Sequence, residues 1–153
     1  MVFMKDMPEA AYDRIINQEL PEFGETDCVA GPPLAERRIA IVTTAGLHRR
    51  DDKPFTMGVG EYRIIPDDTD MNDLMMSHIS NNFDRTGFQQ DLNIVFPIDR
   101  LRELDADGTI GSVAGFHYAF MGATAPTDQA AVANDLAGLL KDDNVTGVIL
   151  AGV

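Results

Sequence analysis

The chain has 153 residues, is 44% hydrophobic and carries a formal net charge of -13. That size and apolar content allow one buried core and make a single domain the default. The acidity argues against nucleic acid or an anionic membrane as partner, because phosphate neutralisation needs clustered Lys and Arg. No apolar run approaches the roughly 20 residues that span a bilayer. The opening Met1-Val2-Phe3-Met4-Lys5-Asp6 lacks the basic segment and apolar core of a signal peptide, so a cytoplasmic compartment is expected. The single cysteine, Cys28, permits neither an internal disulfide nor a cysteine-cluster metal site.

Residues 1–34 read as an N-terminal helix and arm, and 35–153 as an α/β domain. The helix is expected over 8–18, with Ala11, Ile15 and Ile16 as its apolar stripe. A loop follows over 21–33, with two Gly and three Pro. Cys28 lies in that loop as a small apolar filler, with no neighbouring base or cation to lower its pKa. Arg38-Ile39-Ala40-Ile41-Val42-Thr43-Thr44 is the clearest strand: β-branched, apolar on both faces, and therefore central in a parallel sheet.

Tyr62-Arg63-Ile64-Ile65-Pro66 alternates enough for an edge strand, and Leu74-Met75-Met76-Ser77-His78 is a third candidate. Residues 91–97 are apolar, short and ended by Pro97, and fit strand or helix alike. Residues 98–106 have helical spacing, with Ile98, Leu101 and Leu104 on one face and Gly108 as the stop. A longer helix is expected over 127–141, capped by Thr127 or Asp128, with Ala131, Leu136, Leu139 and Leu140 buried. Asp142-Asp143-Asn144 turns the chain into a last apolar strand over 145–153. The alternation predicts a mostly parallel sheet flanked by helices. Its two most apolar strands, 38–44 and 145–153, should be parallel neighbours in the sheet interior.

The three histidines, His48, His78 and His117, all stand near the ends of strands or strand-like segments. Histidine exchanges a proton near neutral pH, so a shared site is a candidate catalytic centre. No metal site is expected: there is no His-x-x-x-His pair, and carboxylates near histidines follow from so acidic a composition. The turn Thr43-Thr44-Ala45-Gly46 ends a strand, where backbone donors can hold an anion or substrate, with Thr43, Thr44 and Gly46 as the candidates. It lacks GxGxxG and a P-loop lysine, and Gly58-Val59-Gly60 precedes its strand instead of following it. Asp67-Asp68-Thr69-Asp70 lacks the glycine and terminal Glu of a calcium loop and reads as a solvated turn.

Several phrases occur in a distinctive order. They are Ala40-Ile41-Val42-Thr43-Thr44-Ala45-Gly46-Leu47-His48, then Tyr62-Arg63-Ile64-Ile65-Pro66, then Ser77-His78. Next comes Asp91-Leu92-Asn93-Ile94-Val95-Phe96-Pro97-Ile98-Asp99-Arg100-Leu101-Arg102-Glu103-Leu104. Ile110-Gly111-Ser112 and His117-Tyr118-Ala119-Phe120-Met121-Gly122 complete the array. Over residues 35–153 it resembles the selenoprotein B family of the glycine, sarcosine, betaine and D-proline reductases, most closely the D-proline reductase-like branch.

The resemblance implies a cytoplasmic reductase that cleaves the C–N bond of an amino acid or N-methyl derivative. It implies a pyruvoyl group on a partner reductase subunit, a selenocysteine or cysteine nucleophile in this chain, and an oligomer. His48, His78 and His117 would frame the selenol or thiol. In the family pattern the nucleophile follows the strand that here ends at Val153. A selenocysteine codon read as a stop would produce such an end, as would a boundary chosen short of it, and a chain ending at Val153 is expected to be inactive alone. No cofactor is expected within the 153 residues. Two rival readings are a non-catalytic interaction subunit and a small-molecule-binding domain that uses the 43–46 turn.

Overall fold

The computed structural model describes residues 3–20, 22, 24, 29–80 and 84–153. Cys28 and much of the expected 21–33 loop lie outside them. The architecture is α/β, and its centre is β1 (Arg38–Thr43). Along one side β1 pairs in parallel with β7 (Gly147–Ala151), in a register running from Ile39 opposite Gly147 to Thr43 opposite Ala151. Along the other it pairs in parallel with two successive short strands. β5 (Ser112–Val113) lies against Arg38 and Ile39, and β6 (Phe116–Ala119) against Val42 and Thr43. β3 (Arg63–Pro66) closes the β6 side as an antiparallel edge strand. The sheet is therefore mixed but mostly parallel, as the sequence predicts.

Both faces of β1 are apolar because both are covered. Ile39 and Ile41 belong to a core with Ile65, Val95, Phe96 and Ala119. Ile98 and Leu101 of α3 (Ile98–Ala106), which follows the short helix α2 (Thr86–Gln90), fill the same core. On the opposite face Val42, Tyr62, Tyr118 and Phe120 pack under Val132, Leu136, Leu139 and Leu140 of α4 (Pro126–Asp142). Beyond the carboxyl end of β1, a two-stranded antiparallel sheet joins β2 (Leu47–Arg49) to β4 (Leu74–Met76).

Several expectations are corrected. β7 is a neighbour of β1 but lies at the sheet edge: among the described residues its other side has no strand, and Leu150 is 77% exposed. α4 is not capped by Thr127 or Asp128. Its N-cap is Ala125, with Pro126 in the first turn, where the missing N–H costs nothing. Ala131 is exposed, and Val132 takes its place in the stripe. Leu104 is more than one-third exposed, leaving Ile98 and Leu101 to anchor α3. The ambiguous 91–97 segment contains a 3-10 turn, Leu92–Ile94, begun by the Asp91 carboxylate accepting from Asn93 N–H. α1 (Glu9–Ile16) forms, but none of its residues is buried. The expected stops hold where left-handed backbone is needed: Gly108 has φ 76° and Asn144, which turns the chain into β7, has φ 55°.

Asp143 ties three elements together. Its carboxylate accepts from Arg38 Nη2 at 2.6 Å and from Gly115 N–H at 2.8 Å, and its carbonyl accepts from Arg38 Nε at 2.7 Å. Burial opposes ionisation of this carboxyl, yet the Arg38 and Gly115 hydrogen bonds hold its pKa below the ordinary range. A depressed acid contributes stability above its unfolded pKa and loses it as pH falls. Asp143→Asn should therefore cost about 2 kcal/mol in urea denaturation at pH 7, and the gap from wild type should narrow below about pH 4.

Candidate functional site

The candidate site gathers at the carboxyl end of the sheet, where open α/β folds collect ligands. Thr44, just past β1, donates its N–H to Ala151 O at 3.0 Å. Its hydroxyl accepts from Val153 N–H at 2.9 Å and donates to Val153 O at 3.4 Å, holding the β7 end in place. Gly122, beyond β6, donates its N–H to Thr44 O at 2.8 Å. A Cβ on Gly122 would lie 2.8 Å from Val153 O and 3.0 Å from Thr44 O, so only glycine lets these three backbones meet.

His78 sits against the same edge. Gly46, at φ 67°, has no room for a Cβ, which would fall 3.1 Å from His78 Cα and N. Ser77 N–H donates to Gly46 O at 3.0 Å, and Gly46 N–H to Phe120 O at 2.8 Å. The His78 ring is buried, and Nδ1 accepts from Ser80 N–H at 3.2 Å, which assigns the proton of the neutral ring to Nε2. Burial first, then the Arg85 guanidinium, lowers its pKa, so the ring is neutral at pH 7. Arg85 itself donates to the His78 carbonyl.

His48 lies on β2, opposite Met75, two residues beyond Gly46. Its Nδ1 donates to Arg49 O at 2.7 Å, which leaves Nε2 as the basic nitrogen. His48 and His78 thus both belong to the small sheet and turn beyond the end of β1.

His117 is placed elsewhere. It is fully buried within β6, edge-on to Phe96 at 5.4 Å between ring centroids. Its Nδ1 accepts the Ile41 N–H at 3.0 Å, in the stretch of β1 between the residues that β5 and β6 pair. Its Nε2 lies 3.6 Å from Asp67 Oδ1. Asp67 also pairs with Arg102 at 3.2 Å, so it is not part of a merely solvated turn.

The 43–46 turn is a joint more than a nest of open donors. Thr44 and Gly46 N–H are spent as described, and Ala45 N–H donates to Thr43 Oγ1 at 3.2 Å. A cleft of about 800 Å³ does open at this edge. Ile79 and Ser80, directly after His78, and Ala123, directly after Gly122, form one wall; Arg14, Asn17 and Gln18, in or just after α1, form another. Sequence reading missed this wall, because a basic residue on an exposed helix carries no local signal. A separate cleft of about 480 Å³ near β2 is lined by Arg49, Arg50 and acids. There Arg49 pairs with Asp51 at 2.5 Å and Arg50 with Asp73 at 3.8 Å.

The family model for glycine/sarcosine/betaine reductase selenoprotein B matches residues 12–153. The chain belongs to this family. It is 34% identical over 120 residues to the D-proline reductase subunit gamma of Acetoanaerobium sticklandii, covering 76% of this chain and 49% of that subunit. The glycine reductase complex component B subunit gamma of Carboxydothermus hydrogenoformans is 27% identical over 97% of the chain and 33% of that subunit. The sarcosine reductase complex component B subunit beta of Peptoclostridium acidaminophilum is 28% identical over 93% of the chain and 36% of that subunit. The chain thus spans about half to one-third of the length of these curated relatives. No solved structure matches it.

Two outcomes check this geometry. Burial drives the His117 pKa from 6.5 down to about 4, against the raising influence of Asp67. Below the unfolded value the unfolded chain takes up a proton that the native ring refuses, so stability should fall as pH drops from about 6.5 to about 4. Urea melts at pH 7 and pH 5 should show a loss roughly 2 kcal/mol larger for wild type than for His117→Gln. For the edge, Gly122→Ala should cost about 1–3 kcal/mol and speed amide exchange in β7. Gly138→Ala, in α4 with nothing within 4 Å of the new methyl, should instead stabilise by about 0.5–1 kcal/mol.

Proposed function

We propose that this chain frames the nucleophile and amine-leaving side of a selenol- or thiol-dependent amino-acid reductase. The observation that carries the reading is the meeting of Thr44, Gly122 and the end of β7 at one carboxyl edge, with the His78 backbone packed against Gly46 two residues beyond Thr44. In the family pattern a selenocysteine or cysteine follows this strand. The Gly122 cradle and the Thr44 hydroxyl suit a chain leaving Val153 at that point. Such a group would supply attack at the substrate α-carbon, with loss of the amine.

The chain's own residues would manage protons around that chemistry. His78, neutral with its proton on Nε2, can donate a hydrogen bond to an anionic selenol or thiol. His48, whose Nδ1 is held by Arg49 O, can present Nε2 to a reacting group as a hydrogen-bond partner. A pyruvoyl group for amine activation would arrive on a partner reductase subunit. Relatives named as components of reductase complexes support the subunit role. The exposed Val148 and Leu150 on β7 favour association with such a subunit or a second copy. No described helix is long and apolar enough to cross a membrane.

Alkylation by iodoacetamide against pH tests the reading. A chain carried one residue further with cysteine after Val153 should gain a thiol that labels with a pKa below the ordinary ~8.5. His78→Gln should return that pKa toward ~8.5. The 153-residue chain, with Cys28 as its single cysteine, should label there alone. A new thiol of ordinary pKa, indifferent to His78, would overturn the proposal.

A further inference from the structure

We propose that Arg14 of α1 anchors the carboxylate of the amino-acid substrate in the cleft between α1 and the carboxyl edge, an inference that rests on the site proposed above. Three observations carry it. The first is position. The opposite wall begins at Ile79 and Ala123, each the next residue after a member of the edge, His78 and Gly122. A small zwitterion in the cleft can therefore hold its carboxylate at α1 while its α-carbon and nitrogen face the edge.

The second is charge. The sequence has 25 acidic and 12 basic residues, so an anionic group approaches against the field of the whole chain and needs a local cation. Among the described residues lining this cleft, Arg14 is basic and none is acidic. Other arginines of the chain face carboxylates, among them Arg38, Arg49, Arg50, Arg63, Arg100 and Arg102. Arg14 makes no ion pair with any described residue, so its fork is not already occupied by an acid there.

The third is donor chemistry. A guanidinium presents two parallel N–H groups that match a carboxylate bidentately, which lysine cannot reproduce. Asn17 supports the polarity of the other substrate end. Its Nδ2 donates to Asp13 O at 2.8 Å, which leaves its Oδ1 as an acceptor for a substrate ammonium or N-methyl ammonium group. Because α1 has no buried residue, changing Arg14 should leave the fold intact.

NMR titration of the 153-residue chain tests the assignment, following the His78 ring and the Arg14 Nε–H signals. The probes are D-proline, N-methylglycine and glycine, each beside its carboxamide, which keeps the amine and removes the carboxylate. The free acids should shift both signals, and the amides should bind at least about tenfold more weakly. Arg14→Gln should weaken the acids by the same factor and leave the amides unchanged. Arg14→Lys should fall between, because the charge remains and the fork is lost. If the acids shift His78 and Arg14→Gln changes nothing, the edge site stands and the anchor is overturned. If no probe shifts His78, both the anchor and the edge site fail.

Discussion

β1 is hydrogen-bonded along both sides, and one of its amides is satisfied by a side chain. β5 and β6 reach different halves of the strand, and the Ile41 N–H between them is donated to the His117 ring. A buried N–H left without an acceptor would cost on the order of 1–3 kcal/mol. The imidazole thus does structural work, and it does so only while neutral, since a protonated Nδ1 could not accept. Its depressed pKa and that hydrogen bond are two expressions of one packing decision. Continuity of β1 through this point carries the strand on to Thr44 and Gly46.

At its carboxyl end the fold relies on close backbone approach. Gly46 admits the His78 backbone, and Gly122 admits Thr44 and Val153. Neither glycine contributes a functional group, yet together they draw four chain segments to one edge. The Thr44 hydroxyl, both donor and acceptor to Val153, closes the arrangement. The chemistry proposed for the edge depends on these contacts more than on the loop lengths between them.

Much of the scaffold was legible because it follows from local rules. The β-branched run at 38–44 and the stripe of Leu136, Leu139 and Leu140 declare their elements through period and propensity. The Gly108 and Asn144 stops announce themselves through backbone freedom. β5 and β6 were not legible as a broken pair, because two and four residues carry almost no periodic signal. The cap of α4 was misread because Thr127 and Asp128 satisfy the usual preference, while Pro126 fixes the helix start one residue earlier. The expected stripe of α1 is present but uncovered, because spacing reports that a face is apolar and not that anything packs on it.

The sequence by itself determined the fold class, the pairing of its two most apolar strands and the family, since all three rest on patterns that survive without coordinates. Only the tertiary structure separated the histidines, which are identical side chains at similar-looking strand ends. His117 was drawn into the core by an amide that needed an acceptor, whereas His78 was held at the edge by a glycine that lets its backbone approach. The structure alone also placed Arg14, on the N-terminal helix, across the cleft from Ile79 and Ala123. Such long-range placement depends on which surfaces bury together, a property of the packed chain that no short window of residues contains.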